Sequence, residues 1–169
     1  GLVLSGHSQG LEIIPEQDNA RITKFVQDTF DLRAGIGTQG IYTVQTVYSA
    51  GDADAMRRLL SNTSKQEIQK NYLDFYAEKY TSIQVDKELE VDDDDLKNRI
   101  TVSERYLVPE IWEKDEEANE YTAFFLPQDL KAHLNELSSS QRTMPFRISH
   151  PTHVRQKTVV LPPGEWDFA

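Results

Sequence analysis

Residues 22–49 read ITKFVQDTFDLRAGIGTQGIYTVQTVYS. In the first part, Ile22, Lys24, Val26, Asp28, Phe30 and Leu32 share one parity, mostly apolar. Thr23, Phe25, Gln27 and Thr29 hold the other parity, and this period of two is that of a strand. AGIGTQG then breaks the run with three glycines, which marks a turn. Beyond it, Tyr42, Val44, Thr46 and Tyr48 alternate with Ile41, Thr43, Gln45 and Val47. β-Branched and aromatic residues favour a second strand, antiparallel to the first across a hairpin.

Downstream the period changes to that of helices. Asp52 is placed to cap a short helix to about Leu60, with Ala55, Met56, Leu59 and Leu60 turned inward. Ser64-Lys65-Gln66-Glu67 has the form of a capping box. After it, Ile68, Tyr72, Phe75, Tyr76 and Tyr80 recur at spacings of three and four, a packing stripe. Ile83, Val85, Leu89 and Val91 then alternate, with Lys87 as the exception, and Ile100, Val102, Tyr106 and Val108 form the partner strand. DDDDLKN makes the polar tip between them.

EYTAFF reads as a strand, PQDLKAHLNEL as a short helix with Pro127 near its start, and RTMPFRIS and HVRQKTVVLP as two closing strands. Strands joined mainly by hairpins, without βαβα alternation, predict an α+β fold. The expectation is a mainly antiparallel, sandwich-like sheet with two to three helices packed on it. The 169 residues form a single domain, or two sub-domains of about 1–108 and 121–169 joined by the acidic loop 109–120.

Charge excludes some partners. The chain carries a formal net charge of −10, and residues 86–120 hold 14 Asp and Glu against 5 Lys and Arg. Such a surface repels phosphate backbones and anionic lipid, so nucleic acid is not an expected partner. No run of about 18 apolar residues is present, so no membrane insertion is expected. Nor does a basic segment followed by an apolar stretch open the chain, so no signal peptide is expected within it. There is no cysteine, which removes thiolate nucleophiles, thiolate metal sites and disulfides from consideration.

Four constellations could carry chemistry. GHSQG at residues 6–10 matches G-x-S-x-G, the turn that presents a hydrolase serine, with Ser8 as nucleophile and Asp129 and His150 or His153 to complete a triad. That turn needs a preceding sheet, a following helix and an oxyanion segment. Here five residues precede Gly6, LEIIPEQ follows, and no HGGG-type stretch exists. A polar turn between LVL and LEII is preferred, with Gly6 and Gly10 allowing the reversal. Asp92, Asp93, Asp94 and Asp95 could offer oxygens to Ca²⁺ in an adhesion module, but the EF-hand spacing is absent and a solvated turn is preferred. His150 and His153 lack a third ligand fixed by spacing, while His7 and His133 stand alone. No catalytic residue, metal or cofactor is therefore assigned. Arg142, Arg147, Arg155 and Lys157 form the one basic cluster, a candidate interaction surface for an acidic segment or neighbour.

On a longer scale, TKFVQDTFDLRAGIGTQGIYTVQTVYSAGDADAMRRLL, SNTSKQEIQKNYLDFYAEKY, LKNRITVSERYLVPEIW and HPTHVRQKTVVLPPGEW resemble a region of bacterial transglutaminase-like proteins. These belong to the papain-like cysteine peptidase superfamily, and the resemblance is to the β-rich flanking region C-terminal to their catalytic core. The core itself, with its Cys-His-Asp triad, has no counterpart here, so no catalytic residue carries over. The resemblance implies a non-catalytic accessory or binding domain that positions the core or docks a polypeptide or envelope partner. It also implies a periplasmic or cell-envelope location.

Overall fold

The computed structural model describes residues 22–133 and 153–164. Within them the fold is α+β and mainly β. β1 (Lys24–Asp31) and β2 (Gly40–Ser49) are the antiparallel pair expected from residues 22–49, in register from Lys24 opposite Tyr48 to Asp31 opposite Ile41. Two helices follow, α1 (Gly51–Asn62) and α2 (Lys65–Ala77). β3 (Gln84–Asp94) and β4 (Arg99–Val108) form the second hairpin. β5 (Glu113–Asp115) and β6 (Glu120–Thr122) make a small separate ribbon, α3 (Gln128–His133) is a short helix, and β7 (Val154–Leu161) closes the described chain.

The large sheet runs β3-β4-β2-β1-β7. All its pairs are antiparallel except β1 with β7, which is parallel. That one parallel edge follows from the long return between the hairpins and β7, because only a crossover can bring a strand in with the same direction. The described part of the C-terminal region thus joins the same sheet as the first hairpin. The layer that lies on this sheet is helical: α1 and α2 cover the face that carries Val26, Phe30, Tyr42, Val44, Ile100, Val102 and Tyr106.

Two hydrophobic groups hold the layers together. In one, Phe30 stacks on Tyr42 at 4.4 Å between ring centroids and Tyr76 of α2 meets Tyr42 edge-on at 5.2 Å. Such geometry is worth about 1 kcal/mol per pair beyond burial. In the other, Met56 of α1 and Ile68 of α2 pack on Leu89, Ile100 and Val102. The tyrosine stripe of α2 is therefore core, as its spacing predicts.

Local details explain the boundaries. Ser64 accepts a hydrogen bond from the Glu67 amide at 3.2 Å, which fixes the start of α2. Asp52 is not the cap of α1. That position falls on Ala50, at φ 52°, whose amide donates to the Asn98 carbonyl and carries the chain sharply out of β2. Asp52 instead lies in the first turn, where a carboxylate favours the helix dipole. The break in alternation at Lys87 is an irregularity in β3: register shifts occur between Val85 and Lys87 and between Lys87 and Glu90. The closing strand expected at RTMPFRIS lies outside the described residues.

Candidate functional site

The inward positions of the sheet are not all apolar. In one cross-sheet row, Asp28 of β1 lies opposite Val44 of β2, which lies opposite Glu104 of β4. On the other side Asp28 pairs with Thr158 of β7. Strand alternation places both carboxyls on the helix-covered face, where Asp28 is fully buried and Glu104 is 3% exposed. Burying a carboxylate costs several kcal/mol unless it is paired or protonated.

Each acid meets this cost differently. Asp28 accepts hydrogen bonds from Gln156 Nε2 at 3.2 Å and from Thr158 Oγ1 at 3.0 and 3.1 Å. Burial still dominates and pushes its carboxyl above the usual range. Glu104 accepts from the Tyr106 hydroxyl, yet burial lifts its carboxyl to about 8, with the Asp129 charge adding to the rise. At neutral pH Glu104 is thus largely a neutral acid. Asp129 of α3 pairs with Lys24 of β1, and both side chains are mostly buried. Gln156 ties the groups together, because its Oε1 accepts from the Leu130 amide of α3 while its Nε2 binds Asp28.

Next to this network is a cavity of about 280 Å³ between α2 and the sheet. Lys24, Thr46, Tyr48 and Glu104 line its sheet side, Tyr72, Phe75 and Tyr76 its α2 side, and Asp129 its rim. A second cavity of about 330 Å³ shares Lys24, Tyr48 and Tyr72 and extends past Met56 and Leu59 of α1. Lys24 Nζ lies 5.9 Å from the centre of the Tyr48 ring, and the Tyr48 and Tyr72 hydroxyls are 3.5 Å apart.

The residues singled out from sequence fall elsewhere or apart. Ser8, His7, His150, Arg142 and Arg147 lie outside the described residues, as do the turn glycines Gly6 and Gly10. His153 leads into β7, where its carbonyl accepts from the Thr23 and Lys24 amides, and it borders the second cavity. Asp129, the candidate triad acid, is engaged by Lys24. Arg155 and Lys157 are exposed on β7, pointing away from the buried row. His133 ends α3.

The four aspartates at the β3–β4 tip are divided among separate partners. Asp93 binds Arg57, at 2.7 Å in its shortest contact, which holds its carboxyl below the usual range. Asp94 caps the 3-10 turn Asp95–Lys97 by accepting from the Lys97 amide, and it also pairs with Lys97 and Arg99. Asp92 and Asp95 are exposed. No group of three His, Cys, Asp or Glu gathers to hold a metal among the described residues.

The buried carboxyl row and its cavity were not among the residues singled out from the sequence. Their signal was present as two charged residues at inward positions of otherwise apolar alternation, Asp28 between Val26 and Phe30 and Glu104 between Val102 and Tyr106.

Fold and site together define an α+β domain with a helix-covered sheet and a polar inclusion in its core. The chain matches no protein-family model, no curated protein and no solved structure in comparison with each. Among the described residues, no helix is long and apolar enough to cross a membrane.

Proposed function

We propose that this chain is a non-catalytic accessory module that docks a polypeptide surface, the occupant being a transglutaminase-like core in the same protein. The observation that carries this is an apolar and acidic surface at one end of the sheet. Ile36 in the β1–β2 turn is 53% exposed, and Tyr121, Phe124 and Leu126, in and beyond β6, are 42%, 48% and 38% exposed. The Tyr121 ring lies against Gly37, next to Ile36. Phe124 lies under Lys79 and its carbonyl accepts from the Tyr80 hydroxyl, which anchors the segment to the end of α2.

Exposed aromatics set in a polar rim are the usual composition of a protein-binding patch. Around them, residues 109–120 carry six Asp and Glu and one Lys. A basic, partly apolar protein surface is the complementary partner, and an anionic one is repelled. A non-catalytic role is further supported by the hydrogen bonding of the buried acids within the fold: Asp28 accepts from Gln156 and Thr158, one oxygen of Glu104 accepts from Tyr106, and Asp129 pairs with Lys24. A periplasmic or cell-envelope setting is part of the same proposal, resting on the resemblance.

The test cuts the protein that joins this chain to its upstream core at the connection between them. The two parts stay associated on a sizing column when the surface is intact. Tyr121→Ser with Phe124→Ser separates them, as does a rise in salt. A protein with no such core upstream, or parts that separate without the substitutions, contradicts the proposal.

A further inference from the structure

The cavity between α2 and the sheet sets two carboxyls among aromatic rings. Glu104 and Asp129 both line it, and Lys24 is the one cation among its described lining residues. Lys24 is committed to Asp129. Glu104 has one oxygen occupied by Tyr106, and its other oxygen, Oε1, makes no hydrogen bond to another described residue. Glu104, 3% exposed, thus brings to the cavity an oxygen that no described residue engages.

The walls narrow the choice of ligand. Tyr48, Tyr72, Phe75 and Tyr76 supply aromatic surface, which favours organic cations through their ring faces and offers poor ligation to a hard metal ion. Lys24 already demonstrates the mode, its ammonium held by Asp129 and 5.9 Å from the centre of the Tyr48 ring. At about 30 Å³ per water, 280 Å³ is the room of roughly nine waters. That is the scale of a small ligand of about nine heavy atoms.

We infer that this cavity is a binding site for a small organic amine, whose ammonium sits against Glu104 and whose apolar part lies against Tyr72, Phe75 and Tyr76. The inference is independent of the docking surface, which lies at the end of the sheet. Glu104 gives up its proton as the ammonium arrives: one cation enters, one proton leaves to the buffer, and the charge of the cavity is unchanged. Among the described residues, the other titratable groups around Glu104 include Lys24 from β1, Tyr42 from β2, its neighbour Tyr106 on β4, Tyr72 and Tyr76 from α2, and Asp129 from α3, with Asp28 of β1 beyond Val44. Burial raises the hydroxyl groups among these, so none competes for the proton near neutrality.

The experiment titrates the full chain, labelled with ¹⁵N, with butylamine, benzylamine and phenethylamine at pH 7, against benzyl alcohol and phenylacetate. Saturable shifts at residues 46–48, 72–76 and 104 are expected for at least one amine and for neither control. Calorimetry in buffers of different ionisation enthalpy reads the released proton. Glu104→Gln weakens the amine about tenfold or more, the loss of a charged hydrogen bond. Lys24→Met frees Asp129 and strengthens it, with circular dichroism confirming that each variant is folded. Silence from all three amines, equal binding of benzyl alcohol or phenylacetate, or unchanged affinity in both folded variants overturns the inference.

Discussion

Asp28 and Glu104 occupy the same row of the sheet, with Val44 alone between them. Two strand spacings separate their backbones, roughly 10 Å. Both carboxyls face the helices and both are held above their usual range by burial. A core that carries two such acids is coupled to pH.

For Glu104 the folded state holds its proton to about pH 8, against an ordinary value of 4.5. Between these values the folded chain binds more protons than the unfolded one, so stability falls as pH rises. The contribution is fully present below about 4.5 and lost by about 8, a few kcal/mol in all. Asp28 acts in the same direction. Urea unfolding from pH 5 to 9 should show this decline, and Glu104→Gln should flatten it. A wild-type profile that rises across this window contradicts the account.

Gly40 begins β2 where two apolar side chains converge. A Cβ there would lie 2.8 Å from Leu32 Cδ2 and 3.3 Å from Ile111 Cγ2. Leu32 and Ile111 are both buried, so neither moves freely. Gly40→Ala should destabilise by about 1–3 kcal/mol, read from the urea midpoint with an unchanged slope. A neutral result would mean that this corner is loosely packed.

Ala50 presents the opposite case. Its φ of 52° with ψ of −130° is a conformation that a Cβ disfavours, yet it sets the exit from β2 into α1. Ala50→Gly should relieve it and stabilise the fold by up to about 1 kcal/mol, because the relief exceeds the added freedom of the unfolded chain. Thermal unfolding of the two chains side by side measures the sign.

Most of the described fold was legible because its signals are local. The alternation of residues 22–32 and 41–49, the Ser64 cap and the Ile68–Tyr76 stripe each act within one element, and each element stands where its pattern puts it. The parallel pairing of β7 with β1 was not legible, since no periodicity records which strand lies beside which. Neither was the exact start of α1, which is set by a contact between Ala50 and Asn98, 48 positions apart. The site was hidden for a related reason. Asp28 and Glu104 each look like a lone exception to alternation, and only the register β1-β2-β4 makes them a pair. Asp129 joins them from a helix whose sequence carries no sign of the contact.

Docking through the end of the sheet is tested most directly by amide hydrogen exchange over residues 110–126, compared between this chain alone and a protein that joins it to the proposed transglutaminase-like core. The residues at issue are Tyr121, Phe124 and Leu126, all partly exposed in the chain by itself. The account predicts slower exchange there in the joined protein, reversed by Tyr121→Ser with Phe124→Ser, while the β3–β4 tip at residues 92–98 is unchanged. Identical exchange over residues 110–126 in both would contradict it.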